Sequence, residues 1–433
     1  GELGNYVGHN APSLANQAWY DRVETHPDGG VARGELTFSD GKFRDKGTVQ
    51  HTFRDENGQS FIQISYEINR KPFAKAIQPN QVLGRYEYRD KDDYDRATHF
   101  VAGKDTVVQV FFPDEVKAGQ VNNLELDIYR NGNKVATLTG PKKDSKNNAL
   151  IFVPKDKSTC GNWAAGTYRF VARLEDAEKT LDGVEFKERR DIRILAVPVT
   201  ANYGGTIKSP GPNWSKADKF LRQVFPLAND NVKLELGEPL DASGSRYNLA
   251  TDDGCTWLWL KLRDLQPPSY AGGQYDAIVG FIADPIPVYT DGELTAYRLG
   301  YTVRKPAAIV ALNSDYQTTL AHEFAHFFGV GDEYNSGAFN LVVNPPPPGY
   351  QGTDWDTGKP VTSPDSPVKP ATSGTGSLIS EKLHPYEVGG RELLGDLTSF
   401  MGSGAPLSKN WITPVIWKHL YTAFEPQSST QAL

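Results

Sequence analysis

Residues 322–332 read HEFAHFFGVGD. No other stretch narrows the possible folds as far, because it asks for a helix, a stop and a return within one short run. Histidines four apart become close neighbours when the backbone is α-helical, with Cβ atoms about 5–6 Å apart. At that spacing His322 and His326 can share one small cation. Gly329 stands where such a helix stops, since glycine accepts the left-handed conformation that reverses a chain. Asp332 then brings a carboxylate back toward the two imidazoles.

The residues before the run agree. In SDYQTTLAHEFAHFF, Ser314 followed three residues later by Gln317 fits a capping box, so the spacing predicts a helix from near Asp315 to about Phe328. Two imidazole nitrogens and one carboxylate suit Zn2+ and leave a fourth tetrahedral position for water. The metal lowers the pKa of that water towards ~7 and polarises a carbonyl. Glu323, beside the first histidine, takes the proton and passes it to the departing amine.

With these residues in hand, the chain resembles the metzincin clan of zinc metallopeptidases, whose pattern is H-E-x-x-H-x-x-G-x-x-H or D followed by a methionine-containing turn. The aspartate in third place and the run GDEY resemble the bacterial IgA-peptidase family of metallopeptidases. The turn implied by the resemblance is SFMGSG, Ser399 to Gly404, and Met401 is the sole methionine of the chain. The final helix of such a domain is TPVIWKHLYTAF, with Thr413 as cap and Pro414 at its first position. The resemblance spans residues 197–425 and implies His322, His326 and Asp332 as zinc ligands and Glu323 as general base. It also implies structural support from Gly329 and Met401, and Tyr334 as a support for substrate or site. Many metzincins carry a tyrosine two residues beyond the methionine; here that position is Ser403. Other candidate ligands are His384, Glu333 next to Asp332, and Glu387 or Glu392 in a gluzincin arrangement.

The rest of the chain divides by rhythm. Residues 1–98 read as a β-rich N-terminal domain, bounded by the charged run RDKDDYDR. A calcium site in that run lacks an ordered loop pattern. Residues 99–199 alternate short apolar and polar runs between turns, as in TVVQVFFP, NLELDIYRNGNKVATLTG and GTYRFVARL. They predict an immunoglobulin-like β-sandwich with a two-residue hairpin at Asn131-Gly132. Residues 200–433 form the α/β metzincin-like zinc peptidase domain. Strands alternate there with helices expected at 213–227, capped by Ser215, and at 253–265. A Pro/Gly/Ser/Thr-dense insertion runs from Asn335 to about Gly390.

Charge and composition limit the partners. Residues 201–433 hold 24 Asp+Glu against 17 Lys+Arg, whereas residues 1–200 hold 29 of each. An acidic catalytic half argues against nucleic acid. The longest apolar stretch, Asp276 to Val288, is broken by Asp284 and two prolines, short of the ~20 residues that span a bilayer. The N-terminus GELGNYVGHNAPSLANQ lacks a basic start and apolar run, so any signal peptide has been removed or precedes it. Two cysteines and one methionine beside 20 tyrosines fit an exported bacterial protein, secreted or at the cell surface. In that setting Cys160 and Cys255 would pair as a disulfide. An alternative for Cys160 is an inhibitory thiolate on the zinc.

The expected function is therefore a secreted zinc-dependent endopeptidase acting on a protein or glycoprotein substrate. The rival is an adhesin or glycan-binding protein with a structural zinc site. Oligomeric state is left open.

Overall fold

The structure, a computed structural model, describes residues 46–55, 58–67, 73–84, 99–114, 116–175, 177–211, 217–265, 275–303, 306–312, 318–328, 330, 351–353, 360–362, 384–387, 392–393, 398–401 and 410–426. It is β-rich, with its strands gathered into several sheets and few helices. The chain divides into two compact units, one made of residues 1–78, 108–153 and 169–183, the other of residues 79–107, 154–168 and 184–433. Among the described residues no helix is long and apolar enough to cross a membrane.

In the first unit, β1 (Lys46–Asp55) and β2 (Gly58–Glu67) pair as an antiparallel ribbon. Strands β3 (Ala76–Asn80), β4 (Val107–Phe111), β5 (Glu125–Arg130), β6 (Asn133–Leu138), β7 (Lys142–Lys143), β8 (Ala149–Phe152), β9 (Gly166–Leu174) and β10 (Ala177–Lys187) supply two sheets. Their orders are β3-β4-β8-β7 and β6-β5-β9-β10, and Phe100–Val101 adds a fifth strand to the second sheet, parallel to the end of β10. The hairpin joining β5 to β6 turns on Asn131 and Gly132 alone, with Arg130 facing Asn133. Both turn residues have positive φ, 50° and 81°. That twist matches the flanking strands, and asparagine followed by glycine is the pair that adopts it at least cost. Behind the turn Asp127 is buried, with Lys134 Nζ and Thr137 Oγ1 each 2.6 Å from Oδ1 and an Arg173 guanidinium nitrogen 2.8 Å from Oδ2. Burial alone would raise its pKa, but these donors hold the carboxylate below its ordinary range.

The second unit is organised by β11 (Ile192–Tyr203), β12 (Thr206–Lys208), α1 (Lys219–Val224), β13 (Val232–Leu236), β14 (Leu240–Ala242), α2 (Asp252–Arg263) and β15 (Ala277–Ile282). The exposed hairpin of β16 (Ile286–Thr290) and β17 (Glu293–Arg298) comes next, followed by β18 (Gly300–Thr302), β19 (Ala307–Ala311) and α3 (Thr319–His326). The chain's last described elements are β20 (Thr398–Ser399), β21 (Asn410–Trp411) and α4 (Pro414–Ala423). The sheet runs β12-β11-β15-β19-β18, and β13 and β14 also pair with β11. Strands β11, β15 and β19 are parallel, while β18 closes the order antiparallel to β19.

Every residue of β15 and β19 is buried, as a parallel strand covered on both faces requires. Alternate side chains enter two cores. Val279, Phe281, Ala308 and Val310 pack with Leu320, Ala321 and Phe324 of α3. Ile278, Ile282, Ala307 and Ile309 pack with Cys255, Leu258, Trp259 and Leu262 of α2. The period of two along the strands thus sets α2 and α3 on opposite faces. Helix α2 opens with the Thr251 hydroxyl accepting from Gly254 N at 3.0 Å. The Trp259 indole N–H donates to Ala307 O at 2.7 Å and fixes the helix on β19.

Two sequence expectations change here. Helix α1 is shorter than 213–227: Pro226 lacks the N–H that would continue it, and residues 212–216, with the Ser215 cap, lie outside the described residues. The charged run 89–96 also lies outside them. The disulfide is not formed, for Cys160 and Cys255 are both free, buried thiols. Cys160 sits in the 3-10 segment Lys157–Trp163, whereas Cys255 lies on the buried face of α2 with its Sγ donating to Leu249 O at 3.6 Å. Burial pushes the two thiols up to about 12 and about 11, respectively, so each is held protonated at neutral pH.

Candidate metal centre

Packing sets the rotation of α3. Leu320, Ala321, Phe324 and Ala325 are buried in the core, which leaves His322 and His326 on the half-buried side. Their ring centroids are 4.8 Å apart and the rings are perpendicular at 89°. The helical spacing of the two imidazoles is therefore realised as a close pair.

Backbone carbonyls orient both rings. His322 Nδ1 lies 3.1 Å from Phe400 O, and His326 Nδ1 lies 2.7 Å from Val330 O. A carbonyl oxygen only accepts, so in each neutral ring Nδ1 carries the proton and Nε2 carries the lone pair. That tautomer is the one a metal-binding histidine takes when its other nitrogen is tied to the protein. The donor set fits zinc on this ground.

The two carbonyls come from separate parts of the chain. Phe400 follows β20, which pairs with β21, and its N–H donates to Trp411 O at 2.9 Å. Its ring packs against Phe220 and Phe225, at 5.9 and 6.1 Å. Met401 comes next, fully buried in the same core as α3. The segment implied as a methionine turn thus runs beside the first histidine. Val330 lies just past the helix end, where its N–H donates to Ala325 O at 3.3 Å. That bond closes a six-residue turn of the kind that ends a helix at a glycine.

Helix α4 supports this end. Thr413 caps it by accepting from Ile416 N at 3.2 Å, as its sequence predicts, and His419 Nε2 lies 2.7 Å from Phe328 O. Burial lowers the His419 pKa and keeps the ring neutral.

Glu323 is buried on the side of α3 that meets β18. A Cβ added to Gly300 would fall 2.2 Å from its Oε1.

Gly329, Asp332, Glu333 and Tyr334 lie outside the described residues, as do Ser314 and Gln317 of the capping box and Ser403. Among the described residues no group of three or more His, Cys, Asp or Glu converges. His384 stands on the short strand His384–Glu387, opposite Gly84, and Glu387 pairs with Glu392. The two orienting carbonyls were beyond sequence reasoning, since a backbone oxygen carries no residue signature. Gly300 had one: a lone glycine inside a strand marks close approach by another group. Compared with known protein families and with curated proteins, the chain finds no match in either.

Proposed function

We propose that the protein is a secreted or cell-surface zinc-dependent endopeptidase, of bacterial type, that hydrolyses peptide bonds in proteins or glycoproteins. On this reading residues 200–433 form a metzincin-like catalytic domain and residues 99–199 an immunoglobulin-like sandwich. The observation that carries it is the orientation of His322 and His326. Two histidines on one helix each give up Nδ1–H to a backbone carbonyl, at 3.1 and 2.7 Å, and so keep Nε2 as an acceptor. A structural role for two half-buried histidines does not call for both to share that tautomer.

His322, His326 and Asp332 would hold the zinc, which when bound supplies a Lewis acid for the scissile carbonyl and acidifies water. The chain's own part falls to Glu323. Its carboxylate, one residue from the first ligand, accepts a proton from the attacking water and returns it to the amine as the peptide bond breaks. Burial of Glu323 beside β18 limits the positions open to that carboxylate.

The test is Glu323→Gln, with zinc content and cleavage of a mixture of unfolded proteins measured on the same preparation. Zinc stays bound and cleavage falls by about 10²–10⁴-fold, the usual contribution of a general base. Undiminished cleavage removes the mechanism. A zinc ion closed off by a fourth protein ligand, with no cleavage by the parent chain, favours the adhesin instead.

A further inference from the structure

The contact between Gly300 and Glu323 has no other explanation in the backbone. Gly300 belongs to β18, paired antiparallel with Val310 of β19. Its φ is not in the left-handed region, so any residue could adopt its conformation. Space decides instead. A Cβ built there meets Glu323 Oε1 at 2.2 Å and both Cδ and Cγ at 2.7 Å, and no real Cβ contact is that short. The strand around it is anchored, since Ala311 N donates to Leu299 O at 2.8 Å and β18 is held in register through Thr302.

We infer that Gly300 is the positioning residue for Glu323: the bare backbone of β18 forms one wall of a slot that fixes where the glutamate carboxylate sits. The inference rests on the reading of Glu323 as general base. Histidine ligands are placed by carbonyls, and the base is placed by a missing side chain. A methyl group at 300 would not break the sheet, because the atoms it meets belong to a flexible side chain. It would push the carboxylate aside. Misplacing a reacting group by about 1 Å costs about 10²-fold in rate.

The experiment uses the full chain in six forms: parent, Gly300→Ala, Glu323→Gln, Glu323→Ala, and the two doubles that add Gly300→Ala to each Glu323 variant. Zinc content, thermal midpoint, kcat and KM are measured for each. Gly300→Ala should bind zinc like the parent, keep KM, and lose about 10²-fold in kcat. In the Glu323→Gln background it should cost no further activity. Its shift in thermal midpoint should shrink in the Glu323→Ala background, where the opposing atoms are gone; this readout does not depend on activity. Parent-like kcat in Gly300→Ala overturns the inference, as does an equal thermal shift with and without the Glu323 side chain. Loss of zinc in Gly300→Ala overturns it too, by making Gly300 a structural residue. Undiminished cleavage by Glu323→Gln is a different failure, that of the peptidase reading itself.

Discussion

His322 Nδ1 lies 3.1 Å from the carbonyl oxygen of Phe400, 78 residues along the chain. The bond ties the tautomer of the first histidine to the packing of a phenylalanine, because Phe400 is held by Phe220, Phe225 and the β20–β21 pairing. Phe400→Ala keeps the carbonyl and its backbone pairing but removes the ring contacts that hold the segment in place. The substitution should cost about 3–5 kcal/mol of stability as a buried aromatic truncation. Zinc affinity should fall about 10–100-fold, as when a partner of a metal-ligating histidine is disturbed. Competition titration with a zinc chelator reads this directly; a folded variant with parent affinity would disconnect the carbonyl from the site.

How much of this was legible beforehand differs by element. The Asn131-Gly132 turn, the α2 helix and the Thr413 cap each depend on interactions a few residues long, and all stand where local chemistry puts them. The His322–His326 pair is equally local. What the sequence could not convey is long-range: the carbonyls of Phe400 and Val330, and the approach of β18 to Glu323. The cysteines show the same limit from the other side. An even count in an exported chain argues for a bridge, but tertiary packing buried Cys255 on the inner face of α2 and left Cys160 in a separate 3-10 segment.

Free thiols make a plain prediction. Native protein should react with almost no thiol reagent, since both cysteines are buried and protonated. Unfolded, unreduced protein should titrate both, and a reducing agent should leave the thermal midpoint unchanged. Absence of reactive thiol in the unfolded, unreduced chain would establish a disulfide instead.

Asp332 is the residue on which the proposed assignment to the aspartate-bearing metzincins turns. The described chain reaches Val330, whose carbonyl and N–H both bond back to α3, so the proposed third ligand follows two residues after an anchored point in the sequence. Asp332→Ala should weaken zinc binding at least about a hundredfold, more than an outer partner does. Asp332→His should preserve binding by restoring the commoner ligand of the clan, and Glu333→Ala should matter less. Zinc content after dialysis decides it. Should zinc survive Asp332→Ala yet be lost from Glu333→Ala or His384→Ala, the loop register is wrong.

Lys104 links stability to pH through a missing N–H. Helix α1 ends at Val224, and the carbonyl of Arg222 would ordinarily accept from residue 226, which is proline. Lys104 Nζ donates instead, to Arg222 O at 2.9 Å and Leu227 O at 3.1 Å, from a side chain buried from solvent. Burial lowers its pKa to about 7, opposed only in part by Asp105. An unfolded lysine titrates near 10.4. Between about pH 7 and pH 10 the unfolded chain therefore holds a proton that the folded chain has released, and this residue's contribution to stability rises with pH. Cys160, Cys255 and Tyr203, all with raised values, act in the opposite sense at the alkaline end. The comparison with Lys104→Met isolates the lysine. Urea unfolding of both proteins from pH 7 to pH 10 should show the stability difference, parent minus variant, growing steadily more favourable to the parent with pH. A difference that stays flat across that range would mean that Lys104 keeps its ordinary pKa and that its two carbonyl bonds are all it contributes.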